Sequence, residues 1–225
     1  MSARCFLVAL LGLAACSNDT SADGDDCTGD TQYWVVDRLF FEVVENNVAK
    51  GFDLDGRTSD FNDAASCFQA DLTSPEGTPG IDNQLAVVVS EVENSVGDVF
   101  NATTQASVND GQLIFIFAME GLSDPENDSC VGLSVQRGVG QPLLGTDGAL
   151  LPFQTFGVNP DAGTSRAPNA RLENGALLTE PFLLSLGLDI QSVAFDFNLY
   201  DAKVQLTMAE EGRIEGFFGG ALNVQ

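Results

Sequence analysis

From Gln112 to the C-terminus the chain repeats one pattern: an apolar run of strand length, a turn, then another run, with no helical stretch between. Parallel strands need a crossover of a dozen or more residues, so strands that follow one another across short turns pair antiparallel. "QLIFIFAMEGL" is the first run. "CVGLSVQRG" is the second, with Val131, Leu133 and Val135 alternating onto one side, and "DPENDS", Asp124 to Ser129, turns between them. Further strands are expected near Leu150 to Val158, Ala170 to Leu178, Phe182 to Leu188 and Val193 to Leu199. "AKVQLTM" alternates through Val204, Leu206 and Met208, and "EEGR" turns it into "IEGFFGG".

The half before Gln112 reads differently. "YWVVDRLFFEVV", Tyr33 to Val44, is aromatic and β-branched and predicts a buried strand. In "IDNQLAVVVSEVENSVG", Ile81, Leu85, Val88, Val89, Val92 and Val96 fall on one face at helical spacing. Asp82 is placed to cap that helix and Gly97 to end it. A strand through Ala86 to Val89 competes, because valine lowers helix propensity, but the period favours helix. A shorter helix runs from about Val99 to Val108 and stops at "NDG". With 225 residues and 44% apolar content the chain can bury one substantial core. The expected fold class is α+β: a mostly antiparallel β sheet or sandwich with one or two inserted helices, forming a single domain over 33–225 with an acidic loop at 51–82.

The N-terminus belongs to no such domain. In "MSARCFLVALLGLAAC" the apolar stretch from Cys5 to Ala15 falls far short of the ~20 residues a spanning helix needs, and with Arg4 before it and small residues at its end it reads as a secretion signal over 1–15. Its ending "LAAC", Leu13 to Cys16, resembles the lipobox of bacterial lipoproteins. That resemblance implies cleavage before Cys16 and acylation of its thiol and new amine, which anchors the chain to a membrane. Ser17, where aspartate would signal retention on the inner membrane, points by analogy to the outer membrane. Each buried methylene contributes about 0.8 kcal/mol, so several chains hold firmly. Residues 16–32, ending in "SNDTSADGDDCTGDTQ", are small and acidic and read as a disordered tether.

Of five cysteines, Cys5 leaves with the signal and Cys16 is the lipid acceptor, so Cys27, Cys67 and Cys130 remain. Export permits a disulfide. Cys67 and Cys130 each lie beside an acidic loop in the folded part, so Cys67–Cys130 is the expected pair and Cys27–Cys67 its main rival.

The stretch "GFDLDGRTSDFNDAASC", residues 51 to 67, gathers aspartates around glycines. Asp53-Leu54-Asp55-Gly56 is like the turn of a calcium loop, but Gly51 and Asn62 stand where an EF-hand needs carboxylates. A looser calcium site is built from Asp53, Asp55, Asp60, Asp63 and Asp71. Confined carboxylates repel unless protonated or bridged by a cation, and a Cys67–Cys130 bond would add Asp124, Glu126 and Asp128 to them. The other reading has each aspartate cap its own turn and face water. The wider run "GFDLDGRTSD…C…DLTSPEGTPGIDNQLA", residues 51 to 86, resembles a pattern of predicted myxobacterial-type lipoproteins; that likeness implies an exported lipoprotein and no catalytic residue.

Charge and composition exclude several functions. With 33 acidic residues against 9 basic ones the chain repels nucleic acid. Without any histidine it has no histidine triad and no imidazole metal site. What remains is a lipid-anchored, non-catalytic envelope protein, its acidic loop stabilised by calcium. The alternatives are a carboxylate-dependent hydrolase of envelope glycans, or a carrier of apolar ligands in a cavity lined by some of the 16 phenylalanines.

Overall fold

A computed structural model describes residues 27–66, 68–190, 193–209 and 212–222, without the side chains of 188–196. The signal, Cys16, the tether up to residue 26, and Cys67 lie outside the described residues. The chain is α+β and mostly antiparallel, as the strand–turn repetition requires. β1 (Asp30–Val35) opens it; a small hairpin of β2 (Leu72–Thr73) and β3 (Pro79–Ile81) leads into α1 (Gln84–Val96) and α2 (Val99–Asn109). The second half holds β4 (Phe115–Leu122), β5 (Asp128–Val139), β6 (Gly157–Val158), β7 (Ser165–Glu173) and β8 (Ala176–Thr179). It closes with β9 (Phe182–Ile190), β10 (Val193–Met208) and β11 (Ile214–Leu222).

The nine-stranded main sheet runs β1-β4-β5-β7-β8-β10-β11, with β6 on β5 and β9 on β10. β4 and β5 pair from Phe115↔Arg137 to Glu120↔Gly132, which puts Phe117 and Met119 opposite Val135 and Leu133. The alternation read from the sequence therefore sets the register. Side chains from both halves fill one cluster, including Phe117, Met119, Val131, Leu133, Leu177 and Val204. Leu133 is fully enclosed, and truncating such a residue to alanine costs about 2–5 kcal/mol. The sheet curls far enough for its two ends to meet: the indole Nε1 of Trp34 in β1 donates to the Gly212 carbonyl, in the β10–β11 turn, at 2.9 Å.

Three strand boundaries differ from expectation. The run from Ala170 to Leu178 is two strands, because Asn174 and Gly175 take positive φ (52° and 75°) and make a tight hairpin between β7 and β8. Val193 to Leu199 and the following "AKVQLTM" are one long strand, irregular at Asp201 (φ 49°). It is long because its first part pairs with β9 and its last with β8, on the same side. Between Leu150 and Val158 only Gly157–Val158 forms a strand; Leu150 makes an isolated bridge to Leu144 and the rest is irregular.

The helices lie where expected, but α1 uses another cap and another face. Asn83, not Asp82, caps it, its Oδ1 accepting the Ala86 N–H at 3.0 Å. Ala86 and Val89 are buried, whereas Leu85, Val88 and Val96 face solvent. A small satellite cluster packs against the helix there: Ala49, Leu72, Ile81 and Ala86 with Val44 and Val87. It shields a narrow stripe only. The same cluster pins the excursion over 51–82, with Val48 bridged to Thr73.

The expected Cys67–Cys130 pair is replaced. Cys130 bonds Cys27, with Cα atoms 5.4 Å apart and a sequence separation of 103. β1 lies antiparallel beside β4, and Gly29 N–H donates to the Gly121 carbonyl at 3.1 Å, so the residues before β1 arrive next to the start of β5. Pairing of β1, not loop chemistry, chose the partner. Cross-linking a loop of ~100 residues removes roughly 4.7 kcal/mol of unfolded-state freedom in the chain-entropy model.

Candidate functional site

Val36 N–H still donates to the Phe115 carbonyl of β4 at 3.0 Å, but from Asp37 to Val44 the segment expected as the rest of a buried strand makes no sheet ladder. Its backbone groups bond to helix side chains instead. Asn101 of α2 accepts the Phe41 N–H through Oδ1 at 2.6 Å and donates through Nδ2 to the Phe41 carbonyl at 3.1 Å. One turn on, Gln105 accepts the Leu39 N–H at 3.4 Å and donates to the Asp37 carbonyl at 3.0 Å. Ser90 of α1 accepts the Val44 N–H at 2.7 Å. A partly buried backbone must be satisfied somewhere, and here two carboxamides four residues apart on one helix face do what a neighbouring strand would. We call this segment the strap. The Asn101–Gln105 spacing was its only sequence signal.

Between the strap and β11 lies a cavity of about 560 Å3. Phe115, Leu186 and Leu199, all buried, line its depth. Phe41 from the strap, Phe52 from the acidic loop and Phe217 from β11 line its walls, and Phe40, 62% exposed, stands at its mouth. Phe52 and Phe217 stack with ring centroids 4.8 Å apart. That approach is allowed because Gly219 has no side chain: a Cβ there would stand 3.3 Å from the Phe52 ring. Phe41 meets Phe100 of α2 edge to face at 5.3 Å. Volume and apolar lining both fall within the range of small-molecule sites, about 300–1,000 Å3.

The acidic loop divides. Asp53 and Asp55 come together with Asp82, each offering a carboxylate oxygen within 4.8 Å of the others, and this group could hold a metal ion. Asp82 was read as a helix cap; the β2–β3 hairpin carries it back to the loop. Its Oδ2 accepts the N–H groups of Leu54 at 2.7 Å and Asp55 at 3.3 Å. Burial raises the Asp82 carboxyl above its ordinary value and the charges of Asp55 and Asp71 add to this, while the two amides oppose it. Asp53 Oδ1 accepts the Gly56 N–H at 2.6 Å and Asp55 Oδ1 the Arg57 N–H at 2.9 Å.

Asp60, Asp63 and Asp71 stay outside that group. Asp60 Oδ1 accepts the Asn62 N–H at 2.7 Å and Asp63 Oδ1 the Ala65 N–H at 2.8 Å. Asp63 also pairs with Arg57 at 2.8 Å. Asp71 Oδ2 accepts the Ser59 N–H at 2.5 Å, closing the base of the loop. These three aspartates shape turns. Asp124, Glu126 and Asp128 are not tied to the loop by a disulfide either, since Cys130 bonds Cys27. Asp128 organises its own turn, accepting from Ser123 N–H (2.8 Å), Ser123 Oγ (2.7 Å) and Cys130 N–H (2.9 Å).

Asp128 gives a pH dependence of defined sign. Slight burial disfavours its charge, but the hydrogen bonds from Cys130, Ser123 and Asp124 outweigh that and lower the carboxyl from 3.8 to about 2. A carboxyl with a lowered folded-state pKa contributes stability above its unfolded value that disappears as pH falls through the folded value. Asp128→Asn should therefore weaken the fold at pH 6 and flatten the loss of stability between pH 3.8 and about 2. Denaturant midpoints across that window measure it, and an unchanged acid slope contradicts this account of the turn.

No family model matches the chain, and neither a curated protein nor a solved structure matches it.

Proposed function

We propose that this protein is a non-catalytic binder of an apolar ligand, exported and held to the cell envelope by acyl chains on Cys16. The observation that carries the ligand reading is the phenylalanine-lined cavity between strap and sheet. Apolar surface held open to water is unfavourable, and covering it returns about 25 cal/mol per Å2. An occupant that is itself apolar supplies that cover. The glycan-hydrolase reading is weaker: Asp55 and Asp82 sit side by side on one wall, joined through the Asp55 amide, and do not face each other across a cleft. The lipobox and the acidic tether support export and the anchor, and the outer membrane is the proposed site of attachment.

A second reading belongs to the same protein. Asp53, Asp55 and Asp82 are the carboxylates for calcium, which accepts six to eight oxygens in flexible geometry and takes backbone carbonyls among them. The ion's role would be structural, offsetting the repulsion that raises the Asp82 carboxyl.

The full chain carrying Cys16→Ala, which removes the acyl acceptor, should enhance the fluorescence of a naphthylamine probe, and a sixteen-carbon alcohol should displace that probe. Ala221→Trp places an indole in the cavity from an exposed position and should weaken binding about tenfold or more without lowering the melting temperature. Equal binding by wild type and Ala221→Trp would remove the cavity from consideration. Calcium at a hundred times its Kd should raise the melting temperature by on the order of 5 °C at neutral pH, an effect that Asp82→Asn abolishes. A midpoint indifferent to calcium and chelator ends the metal reading. For the anchor, an intact-mass spectrum of the wild-type chain should show diacylglycerol on Cys16; an unmodified cysteine refutes it.

A further inference from the structure

We infer that the ligand is an anionic amphiphile, a hydrocarbon chain ending in a carboxylate or a phosphate, whose head is held by Arg38 and Lys50 at the cavity mouth. This rests on the apolar-ligand reading above and adds the head group to it.

Most polar side chains lining the cavity already make a hydrogen bond within the protein. Glu42 Oε1 accepts the Lys50 N–H at 3.0 Å. Asp55 and Asp82 accept backbone N–H groups of their own loop. Asn83 is consumed at both ends, its Oδ1 by the Ala86 N–H and its Nδ2 by the Lys50 carbonyl at 2.7 Å. Gln84 Nε2 donates to the Ala70 carbonyl at 3.0 Å. Arg38 and Lys50 remain. Both are exposed, both line the cavity, and neither head group bonds to a described residue.

Their freedom is unusual in this chain. With 33 acidic residues for 9 basic ones, a cation finds a carboxylate easily. Arg57, Arg166, Arg171 and Arg213 each pair with one. Lys203 Nζ donates to the Asp53 carbonyl at 3.2 Å and Arg137 to the Gln112 carbonyl at 2.5 Å. Among the described residues the two cations left without a partner are both exposed and both line this one cavity, whose other walls are largely hydrocarbon. A guanidinium presents a flat fork matched to carboxylate or phosphate, and a lysine adds a mobile point charge. Glu42, Asp55 and Asp82 keep their charge while accepting backbone amides and bind no anionic head, so any preference for one comes from Arg38 and Lys50.

The test uses the full chain carrying Cys16→Ala, loaded with the naphthylamine probe, and four competitors of equal chain length: hexadecanoate, hexadecyl phosphate, hexadecanol and hexadecylamine. The acid or the phosphate should displace the probe at roughly tenfold lower concentration than the alcohol, and the amine should do no better than the alcohol. Whichever anion wins identifies the head group. Arg38→Gln with Lys50→Gln should bring both anions to the level of the alcohol and leave the alcohol unchanged, with the melting temperature unaltered because both side chains are exposed. If alcohol and anions displace equally, or the amine displaces best, the head-group inference fails while the apolar cavity stands. If no chain displaces the probe, the cavity reading fails as well.

Discussion

The carboxamides of Asn101 and Gln105 decide what kind of molecule this is. They satisfy the backbone of Asp37, Leu39 and Phe41 from the side of the helices. The strap thus has no need of a strand partner. A chain segment with the composition of "YWVVDRLFFEVV" would otherwise extend β1 and pair along a sheet edge. It leaves the sheet after Val36, and the space beside β11 stays open. Removing one such carboxamide would strand partly buried N–H and C=O groups at a cost of about 1–3 kcal/mol each.

The cavity is the counterpart of the core, and the two differ in how their residues are spaced. Where strands alternate strictly, as in Val131, Leu133 and Val135, facing side chains interlock and leave nothing unfilled. β11 reads "IEGFFGGAL", with glycines at 216, 219 and 220 interrupting its alternation. At 216 and 220 glycine lets β11 lie close against the β10 backbone, and at 219 it makes room for the Phe52 ring, while Phe197 and Leu199 end at the cavity. Trp34, bonded to Gly212, ties the two ends of the sheet at one point, and the strap spans the region where they diverge.

The fold class was legible because strand succession without helices admits few topologies, and period two is hard to mistake in Val204, Leu206 and Met208. The boundaries were less so. Asn174-Gly175, a strong hairpin signal, sits in the middle of the run from Ala170 to Leu178 and splits it into two strands. The disulfide was misjudged because its partner choice follows from β1 lying beside β4, a long-range pairing that spacing cannot reveal. The acidic stretch was half legible. Asp53 and Asp55 meet as the Asp-x-Asp-Gly turn suggested, but their third partner, Asp82, lies beyond a hairpin, while Asp60, Asp63 and Asp71 serve their own turns. The cavity itself had no linear signature beyond abundant phenylalanine, because its walls come from segments far apart in the chain.

Loop and cavity are one device, and residues 52–55 show how. Phe52, Leu54 and Asp55 line the cavity, while Asp53 and Asp55 belong to the carboxylate group, so one short stretch serves both and Asp55 belongs to each. Asp82 fastens that stretch by accepting two of its N–H groups, and Lys203 fastens it again at the Asp53 carbonyl. Phe52 then reaches Phe217 across the gap. Whatever settles the charge of the three aspartates therefore also fixes the wall that an apolar occupant would touch. A cation shared among them would favour the ordered loop over looser ones, and an occupant stacked on Phe52 would favour the same loop from the other side. By linkage each would tighten the other's binding, with no contact between them needed.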